Sequence, residues 1–106
     1  MPKYLLEVNY TLGGLRGVLA QGGTARRAAA QAAAESVGGS LDEFHFAFGE
    51  TDAYVIGDFP DNVAAAAVAL AVSTGGGATT KTTVLLTPAD VDAVAEKQVG
   101  YTAQTA

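Results

Sequence analysis

Leu41-Asp42-Glu43-Phe44-His45-Phe46-Ala47-Phe48-Gly49-Glu50-Thr51-Asp52-Ala53-Tyr54-Val55-Ile56-Gly57-Asp58-Phe59 is the stretch that decides the fold. Side chains of a strand alternate between two faces with period two. Phe44, Phe46 and Phe48 therefore share one face of a strand over Leu41 to Phe48, and Glu43, His45 and Ala47 share the other. Gly49-Glu50-Thr51 is a short connection, and Asp52 to Phe59 alternates again. The two runs read as a β-hairpin. The three phenylalanines are too apolar to leave in water, so their face belongs beneath a helical layer. A slip of one residue would bury Glu43 and His45 instead.

Toward the N-terminus, Tyr4 to Tyr10 is a further alternating strand, with Leu6 and Val8 on the face that joins the phenylalanines. Thr11 caps a short helix from Leu12 to Ala20, weakened by Gly13, Gly14 and Gly17 and broken at Gly22-Gly23. Thr24 is placed to cap a better helix from Ala25 to Val37, which Gly38-Gly39 ends. Toward the C-terminus, Pro60 stops the hairpin and Asp61 caps a helix from Asn62 to about Ser73, followed by Gly75-Gly76-Gly77. Thr79 to Leu86 is β-branched and reads as a strand. Thr87-Pro88 opens a last helix that reaches about Lys97.

The order β-α-β-β-α-β plus a helix is that of an α+β, ferredoxin-like sandwich with a four-stranded antiparallel sheet. Residues 1–97 form the domain and 98–106 a C-terminal tail. Helices then cover one sheet face and leave the other bare, and a bare face must be polar or covered by a partner.

The 106 residues fit one domain. Hydrophobic residues make up 49% of the chain, but many are alanine and bury little area each. Such a core is marginal alone, which points to a homodimer or a higher homo-oligomer. The net charge of −5 opposes a phosphate backbone, so nucleic acid and anionic membrane are not expected partners. The absence of cysteine excludes disulfides, thiol catalysis and thiolate metal sites. Met1-Pro2-Lys3-Tyr4 runs straight into a strand and has no signal-peptide pattern. The apolar run Val63 to Val72 is too short to span a bilayer. A cytoplasmic protein is expected.

Several segments together carry a resemblance: the Tyr4-to-Tyr10 strand ending at Thr11, the Gly38-Gly39 stop, Phe44-His45-Phe46, Gly49-Glu50-Thr51-Asp52, and Pro60-Asp61 before an alanine-rich helix. Over nearly its whole length the chain resembles the GYD domain family of small bacterial proteins. Gly49 and Asp52 match the Gly-x-Tyr-Asp signature, and Thr51 stands where the signature has tyrosine. The resemblance implies a fold similar to the dimeric α+β barrels, in which two such sheets face each other. That fold serves cofactor-free monooxygenases, isomerases, haem-dependent enzymes and plain binding proteins, so it leaves the function open.

The bare face is expected to carry Leu5, Glu7, Asn9, Glu43, His45, Asp52, Tyr54, Ile56, Asp58 and Lys81. His45 is the side chain best suited to trade protons near neutral pH, with Glu7 or Asp58 orienting it. Asn9, Asp52, Tyr54 and Ile56 would line a ligand site beside it. A lone histidine among acids is more often a solvated or interface residue. No metal site and no cofactor is expected, since there is one histidine and no ligand spacing. Gly22, Gly23 and Thr24 with Arg26 and Arg27 form a second candidate, an anion site at a helix start. There Arg27 or Arg26 would otherwise meet only Glu35 or a partner's acid.

The leading expectation is a homo-oligomeric module that binds or senses a small molecule. The alternatives are a cofactor-free enzyme acting on a small carbonyl or aromatic compound, and an assembly subunit without a ligand. In the tail, Val99 and Tyr101 suit docking on a neighbouring subunit.

Overall fold

The computed structural model describes residues 1–104 of the chain. Residues 105 and 106, the end of the expected tail, lie outside the described residues. The elements run β1 (Lys3–Tyr10), α1 (Leu12–Gln21), α2 (Gly23–Ser36), β2 (Ser40–Phe46), β3 (Ala53–Asp58), α3 (Asn62–Thr74), β4 (Ala78–Leu85) and α4 (Pro88–Glu96). The strands form one antiparallel sheet in the order β2-β3-β1-β4. This is the expected α+β, ferredoxin-like arrangement.

The helix ends follow local chemistry. The side chains of Thr11, Asp61 and Thr87 accept from backbone N–H groups of the first turns of α1, α3 and α4. At the end of α2, Gly38 N–H donates to Glu35 and Gly39 N–H to Ala34. This is the glycine stop that satisfies the last carbonyls of a helix. Gly38 holds φ 81°, which glycine adopts without strain. Gly39 is needed for a different reason: a Cβ there would lie 2.5 Å from the Asp58 carbonyl.

Thr24 does not cap α2. Gly22 precedes the first turn instead, with φ 87° and no side-chain cap. One glycine in that conformation ends α1 and starts α2 with no further linker, so Thr24 falls inside the helix.

Burial confirms the alternation of β1, where Tyr4, Leu6 and Val8 are buried on the helix side. In β2 the alternation is interrupted. The register shifts between Leu41 and Glu43, so Leu41 pairs with Gly57 while Glu43 pairs with Ile56. The extra residue, Asp42, turns Leu41 to the helix side with Phe44, where both pack on the core. The expected burial of all three phenylalanines is corrected. Phe44 is half-buried, Phe46 is 44% exposed, and Phe48 is fully exposed. The strand stops at Phe46, and Phe48 lies in a longer connection between β2 and β3.

The core holds Tyr4, Leu6, Val8, Val55 and Phe59 with four alanines, Ala34, Ala53, Ala65 and Ala78. α4 adds nothing to it: every residue of α4 is exposed. The radius of gyration is 16.9 Å, against about 13 Å for a compact chain of this length. No helix among the described residues is long and apolar enough to cross a membrane.

Candidate functional site

The helices that cover the sheet present small side chains to it. Ala29, Ala30 and Ala33 of α2 and Gly13, Gly14 and Gly17 of α1 face Leu6, Val8, Phe44 and Val55 across the gap. Such residues cannot fill the space between two packed layers. The result is a cavity of about 580 Å³ between helices and sheet. Drug-sized ligands occupy sites of roughly 300–1,000 Å³.

Close backbone contact shuts the cavity near the start of α1. Thr11 N–H donates to the Gly77 carbonyl at 2.9 Å, and its hydroxyl to the Gly76 carbonyl at 2.9 Å. A Cβ on Gly14 would lie 1.9 Å from the Gly77 carbonyl oxygen, so only glycine permits this approach. At the other end of α1 the ring of Phe46 packs on Gly23, 6.5 Å from the ring of Tyr10 and 4.9 Å from that of Phe44.

The lining has no acidic residue and one basic one, Arg26. A terminal nitrogen of Arg26 donates to Gln21 Oε1 at 3.2 Å. Its Nε is shut off from solvent and has no hydrogen-bond partner. Arg27, one residue on, points along the outer surface of α2 and donates to Gln31 Oε1 at 3.3 Å. Gln31 in turn donates to Glu35 at 3.1 Å. The expected anion group is thus divided: Gly22, Gly23 and Thr24 frame the helix start, Arg26 enters the cavity, and Arg27 leaves it. Tyr10, which the sequence reading did not single out, lines the same cavity. Burial pushes its phenol above the ordinary value, and the nearby Arg26 charge works the other way. The phenol is protonated at neutral pH and can donate a hydrogen bond.

The open face has a different character. Register places His45 opposite Tyr54, Tyr54 opposite Glu7, and Glu7 opposite Lys81, in one row across the sheet. His45 Nε2 lies 3.2 Å from Glu43 Oε1, both side chains being more than half exposed. The carboxylates expected to orient His45 are engaged elsewhere. Glu7 accepts from the Thr51 hydroxyl at 3.4 Å, and Asp58 lies 3.1 Å from Lys3 Nζ. Lys3 also pairs with Asp42. Asp52 accepts from the Tyr10 backbone N–H at 2.9 Å, which fixes the end of β1. Asn9 sits opposite Thr79, and Ile56 opposite Leu5. The cavity lies on the other side of the sheet from His45, not beside it. Glu43 was legible as the imidazole's neighbour, since residues two apart on a strand share a face.

Among the described residues no group of three or more His, Cys, Asp or Glu side chains is placed to hold a metal ion.

The family model described as GYD domain matches residues 4–95. Thr51, at the tyrosine position of the family signature, is buried, and its hydroxyl is the donor to Glu7. No curated protein and no solved structure matches the chain.

Proposed function

The chain belongs to the GYD domain family, and from that premise we propose that it is a homo-oligomeric module that binds a small molecule between its helices and its sheet. The observation that carries this reading is the 580 Å³ cavity. The cavity opens to solvent, so its apolar walls stay in contact with water until something covers them. Water can enter, but the lining offers few polar groups to hold it. An apolar occupant satisfies the site better. Binding of an uncharged fluorescent probe, N-phenyl-1-naphthylamine, tests it. The wild type should bind the probe, and Ala30→Phe, which fills the space, should not. Equal binding by both proteins would sink the reading.

The oligomer rests on two surfaces. The open face carries Leu5, Ile56 and Tyr54 among its charges, and α4 holds Val91 and Val94 in water. A second copy laid sheet to sheet would cover the first, and exchanged C-terminal segments the second. Sedimentation at micromolar concentration should give a mass above the monomer; a stable monomer would count against it.

A second reading, a cofactor-free enzyme acting on a small carbonyl or aromatic compound, is favoured by one observation. The pair of His45 and Glu43, in line with Tyr54 and Glu7, would face the interior of a sheet-to-sheet dimer. In that case His45→Ala abolishes turnover and leaves the fold intact.

A further inference from the structure

The cavity has one feature that its apolar lining does not explain, the guanidinium of Arg26. Resting on the cavity reading above, we propose that the ligand is an apolar carboxylic acid, with its carboxylate on Arg26 and its hydrocarbon body against Phe44, Leu6 and Val55.

Three observations carry the assignment. The first is an unmet donor. Arg26 Nε has no acceptor and is reached neither by solvent nor, as the side chain stands, by a group in the cavity; one terminal nitrogen is held by Gln21, and a carboxylate would meet the guanidinium as the side chain turns toward the cavity. A buried donor left unpaired is costly, and more so on a charged group. A planar guanidinium is shaped to give parallel hydrogen bonds to a carboxylate.

The second is charge. The chain holds 11 acidic and 6 basic residues, yet no acidic side chain lines the cavity. No ion pair to Arg26 occurs among the described residues, where the pairs are those of Lys3 and His45. Glu35, the one acid on the same helix, lies nine residues further on, about 13 Å along the axis, and takes a hydrogen bond from Gln31. The positive charge therefore stands without a counter-charge at the wall of the cavity. Its position near the start of α2 adds to the mismatch, because the dipole there is also positive. An anion resolves both.

The third is room. A Cβ on Gly17 would make only ordinary contact with the Arg26 terminal nitrogen, at 3.9 Å, so the guanidinium lies along α1 at the cavity wall without being crowded by it. Tyr10 on the same lining supplies a second donor for a headgroup oxygen. The remainder of the cavity is hydrocarbon in character and matches a chain or ring, not a sugar or a nucleotide.

The test compares decanoate, 1-decanol and decylamine by isothermal titration. Wild type should bind decanoate and should bind decylamine at least tenfold more weakly, a difference of about 1.4 kcal/mol. Arg26→Gln should weaken decanoate about tenfold or more and leave 1-decanol within about twofold. If decylamine binds wild type as well as decanoate does, the carboxylate assignment is overturned, and this holds even if Arg26→Gln fails to fold. If Arg26→Gln folds and binds decanoate unchanged, it is overturned as well. In either case binding that is lost in Ala30→Phe leaves the cavity reading standing. Binding of none of the three probes to wild type overturns the carboxylic acid and the cavity reading together.

Discussion

The hydroxyl of Tyr4, at the buried centre of the sheet, donates a 2.7 Å hydrogen bond to Asn62 Oδ1 at the first residue of α3. Tyr4 is 1% exposed, and its ring meets Phe59 edge-on at 5.6 Å. One side chain thus ties the central strand to the helix beyond the hairpin. Tyr4→Phe removes the donor together with its need for a partner and should cost about 1 kcal/mol. Asn62→Ala leaves the hydroxyl behind and should cost as much or more, up to about 3 kcal/mol. Urea unfolding of both variants measures this; a smaller loss for Asn62→Ala would mean that the bond contributes nothing.

Two adjacent glycines of α1 should respond oppositely to alanine. Gly13 faces only the Thr11 hydroxyl, at 3.8 Å from an added Cβ. Gly13→Ala should raise stability by up to about 1 kcal/mol through helix propensity. Gly14→Ala would drive a Cβ to within 1.9 Å of the Gly77 carbonyl. It should cost about 1–3 kcal/mol or more, as α1 is forced off β4. Thermal melts of the two variants give the signs directly.

The ion cluster at Lys3 predicts a stability plateau with two edges. The hydrogen bond from Lys3 holds the Asp42 carboxyl below its usual 3.8, and Asp42, then Asp58, hold the Lys3 amine above its usual 10.5. The Asp42 contribution is present above its unfolded value and is lost as pH falls through the lower folded value. The Lys3 contribution is present below 10.5 and is lost as pH rises through the higher folded value. The pair is exposed, so both effects are small and screened by salt. The clean readout is a carboxyl-carbon NMR titration of Asp42. Its midpoint should lie below 3.8 in wild type and move toward 3.8 in Lys3→Met. An unchanged midpoint would exclude Lys3 as the cause.

Tyr101 is 76% exposed and Val99 80% exposed. If they dock on a neighbouring copy, truncation after Lys97 should lower both the oligomeric mass and the melting temperature. A truncated chain that keeps both values shows that the tail plays no part in assembly.

The sequence by itself determined the order of elements, because the signals for it are local. Thr87, Pro88 and Asp90 specify the start of α4 within four residues, and Gly38-Gly39 specify the end of α2. The alternation of Tyr4, Leu6 and Val8 likewise assigns their face without reference to any partner. The family was legible for the same reason, since its matching segments are short runs. What only the tertiary structure decided depends on elements far apart in the chain. The extra residue at Asp42 sends Leu41 inward, and it is defined only by pairing with β3. The early end of β2 leaves Phe48 in water although its spacing is that of a core residue. His45 has Glu43 beside it, while Tyr54 separates it from Glu7 and Asp58 stands opposite Ser40; those two carboxylates meet Thr51 and Lys3, partners more than forty residues away from them in the chain. The cavity follows from a volume deficit between layers: alanine is an ordinary helix residue in the sequence and becomes a missing side chain only opposite a sheet. That deficit is also what separates Arg26 from Arg27. Neighbours on a helix point about 100° apart, and only the packing decides which of the two faces the gap.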